Sequence, residues 1–253
     1  MNAGEEARDQ RSRLTETSPM HLLAIETSGP LGGIALLATE GDGEPTLLEE
    51  VYLQEGFRHA RDLLPTIRAA CDRAGWSPRA VDALAVSIGP GSFTGVRIAV
   101  ILAKFMAYDA AAAIVPVPSL RAMAASAPPD RSPLACIRDA KRGGLYASIF
   151  ARRGGDLEET FGPALIQPEA LAERLQPGTL VLGRGVPKAR EALAAFDLAP
   201  EALWDVQPSA VARIGHRLWQ AGATADPLRL EPIYLRRPEA EEVWERRHGG
   251  ADR

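Results

Sequence analysis

Between residues 83 and 117 an apolar strand, a glycine-rich loop, a helix and a second apolar strand follow one another. This unit is the strongest constraint on the fold. Ala83–Ile88 and Ile114–Val117 are apolar runs of strand length, and the helix is predicted over about Phe93–Asp109. Two strands joined through a helix pair in parallel, because the crossover returns the chain to the same end of the sheet. The sequence therefore predicts an α/β protein.

An antiparallel meander is predicted ahead of this unit. Three apolar runs, His21–Glu26, Ile34–Ala38 and Leu47–Leu53, are separated by glycine-containing turns of the kind that joins neighbouring strands. A helix is predicted over 58–74, where apolar residues recur every three or four positions before a glycine ends the pattern. Its inward stripe would consist of Ala60, Leu63, Leu64, Ile67, Ala70, Cys71 and Ala74.

A proline-rich stretch at 127–133 introduces a second half with its own elements. Strands are predicted at Leu134–Arg138, Leu145–Phe150 and Phe161–Ile166, and helices at Glu169–Leu175, Lys188–Phe196 and Ser209–Ala221. We expect a first lobe over 20–119 and a second over 120–238. Both lobes begin with strand-rich hairpins, which is compatible with a weak internal duplication of the chain. The charged segments 1–19 and 239–253 are expected to be tails, and the first lacks the apolar core of a secretory signal.

Composition excludes several classes of protein. With 46% apolar and 25% charged residues, the 253-residue chain can bury a core, which excludes disorder for most of it. A net charge of −4 argues against coating nucleic acid by bulk electrostatics. Cys71 and Cys136 form no Cys-x-x-Cys pattern, so a cytoplasmic protein without disulfides or a cysteine zinc site fits best. No apolar run reaches the roughly 18–20 residues that span a bilayer.

The loop before the second predicted helix allows two interpretations. Three glycines and a proline permit a tight turn, and amides at a helix N-terminus could meet either an anion or another backbone segment. The loop is not a Walker A motif, since no Gly-Lys-Ser/Thr follows at the required spacing. A structural turn is the favoured interpretation. The loop consists of Gly89, Pro90, Gly91, Ser92, Phe93, Thr94 and Gly95.

Two other segments are candidates for vestigial nucleotide contacts. The first segment places a carboxylate and two hydroxyls at a strand end, in Glu26, Thr27 and Ser28. A hairpin of this type touches phosphate and metal in the actin-like and sugar-kinase ATPases. A tight hairpin that satisfies its own amides is at least as good an explanation. Gly183 and Gly185 could allow an adenine or ribose to approach the backbone. The segment from Asp139 to Tyr146 is predicted to be a salt-bridged turn.

The histidines offer no metal site on one helix turn. The pair nearest in sequence, His216 and His248, is 32 residues apart, which excludes a His-x-x-x-His motif. No Ser/His/Asp or Cys/His set stands out either. The sequence therefore predicts neither catalytic residues nor a metal site.

A series of motifs resembles the TsaB family of bacterial tRNA threonylcarbamoyladenosine biosynthesis subunits. The match covers about residues 20–238, and Gly-Pro-Gly-Ser-Phe-Thr-Gly-Val-Arg, starting at Gly89, is its most specific part. The other matching segments are Leu23–Ser28, the helix with His59 and Leu63–Pro65, Val117–Leu120, Asp139–Lys141 with Gly143 and Tyr146, and Glu231–Arg236. Glu26 stands where many members have Asp, and Lys141 where many have Arg.

The resemblance implies a fold of two actin-like lobes, with mixed sheets flanked by helices as in the sugar-kinase ATPases. It also implies a non-catalytic subunit that forms a heterodimer with TsaD, the threonylcarbamoyl transferase, while TsaE and ATP complete the system. ATP would be used by the complex, with no cofactor bound tightly to this chain. tRNA would be contacted only through the complex. The metal-binding histidine pair of TsaD is missing from this sequence.

The family pairs with TsaD through two first-lobe helices, and periodicity suggests which faces take part. In the second helix, bulky Ile98, Leu102 and Phe105 are expected to pack on the sheet and to leave a small-residue face for a partner helix. The expected interface consists of Arg61, Pro65 and Arg68 on the first helix, and Val96, Val100, Ala103 and Ala107 on the second. Two alternatives stay open: an actin-fold ATPase, kinase or peptidase-like enzyme, and a homodimer formed through the same helices.

Overall fold

The computed structural model describes residues 19–40, 43–53 and 59–236. The predicted tails therefore lie outside the described residues, apart from Pro19. None of the helices in the described part is long and apolar enough to cross a bilayer.

A five-stranded mixed sheet forms the first half, in the order β3-β2-β1-β4-β5. Its strands are β1 (Met20–Glu26), β2 (Gly33–Thr39), β3 (Thr46–Tyr52), β4 (Ala83–Ser87) and β5 (Ala113–Val117). The first three are antiparallel neighbours, and β4 lies parallel to both β1 and β5. Both the predicted meander and the predicted parallel unit are confirmed.

The second half repeats this topology in a second sheet, ordered β10-β9-β6-β7-β8. Its strands are β6 (Leu134–Asp139), β7 (Leu145–Arg153), β8 (Asp156–Ile166), β9 (Leu180–Leu182) and β10 (Asp197–Leu198). Again a three-stranded antiparallel meander comes first and two parallel strands follow. The shared strand order supports the predicted duplication.

Helices cover both sheets and fill the space between them. The helices are α1 (His59–Ala74), α2 (Phe93–Ala110), α3 (Ser119–Ser126), α4 (Pro168–Ala172), α5 (Val186–Ala189) and α6 (Pro208–Gln220). α1 and α2 pack on the outer face of the first sheet, and residues of α4 and α5 pack on the outer face of the second. α6 packs on the first sheet, α3 on the second, and the two helices contact each other within a shared core.

Several predicted elements of the second half need correction. The predicted helix Lys188–Phe196 is wrong in extent, because the helix α5 ends at Ala189 and turns follow. Helix α3 and the short strands β9 and β10 were not predicted. Helix α6 lies within 120–238, the predicted second lobe, yet it packs on the first sheet. A Cβ at Gly215 would lie 2.2 Å from the Ala85 side chain, so this glycine allows that close contact.

The orientation predicted for α2 is wrong. The small-residue face is the one that faces the sheet, and its side chains are at most 5% exposed: Val96, Val100, Ala103 and Ala107. Phe105, by contrast, is 70% exposed. Ile98 and Leu102 are half-buried. The reason lies at the start of the helix, where a Cβ on Gly95 would come within 1.9 Å of the Thr27 carbonyl oxygen. A helix that begins so close to the sheet has room only for small side chains beneath its first turns, while the larger Met106 is buried near its other end. These four small residues therefore belong to the core.

Candidate functional site

The carboxyl end of β1 lies between the two halves of the molecule and carries the predicted trio Glu26, Thr27 and Ser28, all buried. Glu26 Oε1 accepts hydrogen bonds from the Ser28 amide at 2.6 Å and from Ser28 Oγ at 2.5 Å. Thr27 Oγ1 donates to the Gly95 carbonyl at 2.7 Å. The Ser28 amide is thus satisfied within the hairpin, as the structural alternative required, although Glu26 Oε2 is buried without a hydrogen-bond partner.

Arg138, at the end of β6 in the second sheet, reaches across to this hairpin. Its Nη1 donates to the Ser28 carbonyl at 2.5 Å, and its Nη2 lies 4.0 Å from Glu26 Oε1. Burial lowers the pKa of Arg138, and the nearby Glu26 and Asp205 oppose that change. Arginine remains protonated in proteins even so. No local pattern indicates a role for Arg138, because its partners Ser28 and Glu26 lie 110 or more residues away.

A second ion pair lies beside the first. The Arg184 guanidinium binds Asp205 in bidentate geometry, with Nε–Oδ1 at 2.8 Å and Nη2–Oδ2 at 2.7 Å. A Cβ on Gly29, in the β1–β2 turn, would lie 3.7 Å from Asp205 Oδ1 and 3.2 Å from Arg138 Nη1. Two arginines from the second half and two carboxylates therefore converge at the β1–β2 turn. Among the described residues, no group of three or more His, Cys, Asp or Glu side chains could hold a metal ion.

The loop from Gly89 to Gly95 packs directly on the end of β1. The Ser92 amide donates to the Ser28 carbonyl at 2.8 Å, and Ser92 Oγ caps α2 by accepting from the Gly95 amide at 3.2 Å. A Cβ on Gly91 would lie 2.3 Å from the Ser28 oxygen. Gly91 and Gly95 thus permit contact between two backbone segments. Gly89, with φ of +96°, makes the turn.

Gly183 and Gly185 have a packing role as well. Gly183 has a φ of +113°, and a Cβ on it would lie 2.1 Å from the Ile137 carbonyl oxygen. A Cβ on Gly185 would approach Ile137 and Leu145 to 3.1 Å. Their contacts with the end of β6 explain these glycines without a nucleotide, and nucleotide binding at this position stays a prediction.

The turn between β6 and β7 carries the predicted salt bridge. Asp139 Oδ2 lies 3.8 Å from Lys141 Nζ of the same turn, and Asp139 Oδ1 accepts from the Lys141 amide at 2.7 Å. Lys188, outside the turn, donates to the same Oδ1 from its Nζ at 2.8 Å. Burial by itself would raise the pKa of Asp139, but these hydrogen bonds and the two lysine charges hold it below the usual range. The predicted salt-bridged turn is therefore confirmed.

The outer side of α1 and α2 exposes a group of large apolar residues. We call this group the α1–α2 surface. It consists of Leu64 (55% exposed), Ile101 (66%), Phe105 (70%) and Tyr108 (92%). The three α2 residues follow one another at intervals of four and three, so they share one side of the helix. The exposure of Leu64 corrects its predicted inward position, while Arg61, Pro65 and Arg68 are exposed beside it, as expected.

The last described residues extend this surface at the start of α2. The Ile233 amide donates to the Ile88 carbonyl at 2.8 Å, which docks this segment on the end of β4. The rings of Tyr234 and Phe93 lie 4.6 Å apart between centroids, and Arg97 Nε donates to the Tyr234 hydroxyl at 2.9 Å. The start of α2 is thus held from two sides, by the hairpin and by the residues after α6.

Comparison with known proteins places this geometry in a family. The family model described as TsaD, tRNA N6-adenosine threonylcarbamoyltransferase, matches residues 55–209, more than half of the chain. The Bacillus subtilis tRNA threonylcarbamoyladenosine biosynthesis protein TsaB is 30% identical over 234 residues, covering 89% of this chain and 98% of that protein. The Escherichia coli protein of the same name is 33% identical over 163 residues, or 62% of this chain and 67% of that one.

Solved structures agree with the sequence relatives. A Pseudomonas aeruginosa protein described as similar to the peptidase YeaZ superimposes with a TM-score of 0.74 at 26% identity, covering 86% of this chain and all of that one. YeaZ from the same species gives a TM-score of 0.73, also at 26% identity, with 85% of this chain and all of that one covered. Together with the two mixed sheets, these similarities confirm the predicted two-lobed, actin-like α/β fold.

Proposed function

This chain belongs to the TsaB family, and from that premise we propose that it is a non-catalytic subunit that binds and activates a TsaD transferase. The complex would transfer the threonylcarbamoyl group to the adenosine beside the tRNA anticodon. The observation that carries the proposal is the α1–α2 surface, which presents four large apolar side chains on two adjacent helices. An exposed apolar group of this kind is typical of a protein–protein interface.

The residues of the α1–α2 surface replace the small-residue face as the proposed contact. Phe105 and Tyr108 are large aromatic residues, which frequently dominate the energy of an interface. Arg61 and Arg68 lie exposed on α1 beside Leu64, where they can form the polar rim of such a contact. A helix pair on the partner would bury these side chains by packing along α1 and α2.

The buried charges at the end of β1 support a subunit without chemistry of its own. The Glu26 carboxylate is hydrogen-bonded to Ser28 and faces Arg138, and Asp205 is bound by Arg184. Each of these acids therefore already has a partner within the chain. We propose that ATP, together with TsaE, acts in the complex rather than on this chain, and that the complex works in the cytoplasm.

Contact with tRNA is also assigned to the complex. The chain carries 29 basic and 33 acidic residues, so bulk charge attraction to RNA is lacking. In a gel-shift assay at physiological salt, we expect the lone chain not to bind tRNA and the complex with TsaD to bind it. Micromolar binding by the lone chain in a gel-shift assay would contradict this assignment.

Co-elution with the TsaD of the same organism tests the proposal. Phe105→Glu should abolish co-elution and the modification activity of the mixture, because an unpaired charge buried at an interface costs several kcal/mol. The melting temperature of the lone variant should stay near that of the wild type. Leu165→Glu is the matched control: Leu165 is also an exposed large apolar residue, on β8 of the other sheet, and its replacement should leave binding intact.

Two outcomes would contradict the proposal. If the wild-type chain does not co-elute with TsaD, the partner is wrong. If Phe105→Glu still binds TsaD as the wild type does, the interface lies elsewhere. A dimer of the lone chain that Phe105→Glu dissociates would show that the same surface also serves the homodimer.

A further inference from the structure

The Ser28 carbonyl oxygen joins the second lobe to the start of α2. It accepts one hydrogen bond from Arg138 Nη1 at 2.5 Å and another from the Ser92 amide at 2.8 Å. Arg138 belongs to the second sheet, and Ser92 is the N-cap of α2. A single backbone oxygen is therefore held from both sides.

We propose that Arg138 is a positioning residue for partner binding: through the Ser28 carbonyl, it fixes the start of α2 and with it the α1–α2 surface. This inference rests on the proposed function, because it assumes that the surface binds TsaD. It adds that Arg138 of the second sheet, which is not one of the four residues of that surface, controls its affinity.

The link from Ser28 to α2 is stiff. A Cβ on Gly91 would lie 2.3 Å from the Ser28 oxygen, and one on Gly95 would lie 1.9 Å from the Thr27 oxygen. Thr27 Oγ1 also donates to the Gly95 carbonyl. Backbone segments in such close contact move together, because a closely packed interior leaves no room for one to slide past the other. A displacement of Ser28 would therefore displace the start of α2.

Stability alone is a poor explanation for the buried charges. Glu26 Oε2 and Arg138 Nε are both buried without a hydrogen-bond partner, and the Glu26–Arg138 contact is a long 4.0 Å. Buried ion pairs of this quality are often no more stabilising than apolar side chains of similar size. The short hydrogen bond of Arg138 goes to the Ser28 carbonyl instead. Glu26 orients that residue by accepting from its amide and hydroxyl.

Replacing both Arg138 and Glu26 by uncharged residues separates the positioning role of Arg138 from its effect on the stability of the chain. Arg138→Met alone leaves Glu26 as an unpaired buried carboxylate, so the chain should be destabilised. Adding Glu26→Gln removes that charge, and the free energy of unfolding in urea should recover. The dissociation constant for TsaD, measured by calorimetry, should nevertheless rise about tenfold in the double variant, within the usual range of coupling between distant sites. Hydrogen exchange at the Ser92 amide should also become faster.

Arg152→Met is the matched control. Arg152 is another arginine of the second sheet that donates to backbone carbonyls, here those of Ala124, Ala127 and Arg131. Among the hydrogen bonds of the described residues, none joins these three carbonyls to the loop before α2. Its loss should lower stability and leave the affinity for TsaD unchanged.

A second pair of variants acts on the other end of the link. Ser92 is exposed, and its φ of −57° is compatible with proline. Ser92→Pro deletes the amide that donates to Ser28, whereas Ser92→Ala deletes only the cap. The proline variant should weaken TsaD binding about tenfold, and the alanine variant should bind within about twofold of the wild type.

If the double variant and Ser92→Pro both bind TsaD with unchanged affinity, the inference is overturned. The proposed function would still stand in that case, because the wild-type chain binds TsaD. If the double variant does not fold, the two Ser92 variants decide the question by themselves. Failure of the wild-type chain to bind TsaD would instead reject the proposed function.

Discussion

Ala103 and Phe105 lie two positions apart on α2 and on opposite sides of it: Ala103 is completely buried against the first sheet, and Phe105 is 70% exposed. The helix is apolar on both sides, so its sequence allows either side to face the sheet. The structure places the small residues inward and the large ones outward. The same substitution at these two positions should therefore have opposite consequences.

Ala103→Arg should unfold the isolated chain rather than disturb an interface. A long charged side chain at a completely buried position costs about 4 kcal/mol or more, through both overpacking and an unpaired charge. Phe105→Arg, on the exposed side, should change the free energy of unfolding by about 0.5 kcal/mol or less. Urea unfolding of both variants checks this. A stable, folded Ala103→Arg chain would mean that this side of α2 is open.

Gly95→Ala should be strongly destabilising although it adds a single methyl group. The new Cβ would come within 1.9 Å of the Thr27 carbonyl oxygen, a backbone atom that cannot rotate away. We expect a loss of roughly 2–3 kcal/mol, the upper part of the range for overpacking. Thr94→Ala, at the exposed neighbouring position, is the control and should cost far less. Equal melting temperatures for the two variants would refute the close contact.

Stability should decrease in mild acid because of His216. This histidine on α6 is 3% exposed, and its Nε2 lies 3.0 Å from Thr39 Oγ1. Burial lowers its pKa below the ordinary 6.5, an effect that Glu44 opposes only in part. The unfolded chain therefore takes up the proton more readily than the folded chain. The stabilisation is complete above about pH 6.5 and is lost as the pH falls below that value.

A glutamine at position 216 separates this effect from other titrations. His216→Gln keeps a polar side chain near Thr39 but cannot take up a proton. Between pH 6.5 and 5, the free energy of unfolding should decrease with falling pH more steeply in the wild type than in the variant. The difference in slope should be up to about 1.4 kcal/mol per pH unit. Urea titrations at three pH values provide the comparison. Parallel pH profiles would show that His216 is not responsible.

The purified chain should not hydrolyse ATP to any appreciable extent, nor modify tRNA by itself. Glu26, the carboxylate at the position that touches phosphate in actin-like ATPases, is 1% exposed and is already bound by Ser28. A phosphate-release assay with and without Mg²⁺ measures this directly. Metal-dependent turnover that Glu26→Ala abolishes would make the chain an enzyme and reject the non-catalytic role.

Much of the architecture could be predicted, because strand and helix patterns are local. Three predicted strands lie within the observed β1, β2 and, apart from Leu53, β3; their ranges are 21–26, 34–38 and 47–53. The helix crossover between β4 and β5 implied the parallel pairing of these two strands. Weak or short patterns failed instead. Strand β10 has two residues and α5 has four, too few for a periodicity to show.

The sequence by itself determined most of the elements, the parallel pairing of β4 with β5 and the family, since all three are encoded in consecutive residues. Only the tertiary structure decided which side of α2 faces outward, because both sides are apolar and the choice depends on how close Gly95 lies to the Thr27 backbone. It also brought Arg138 to Ser28 across 110 positions. Such a contact arises from the packing of two lobes, and no spacing within either lobe specifies it.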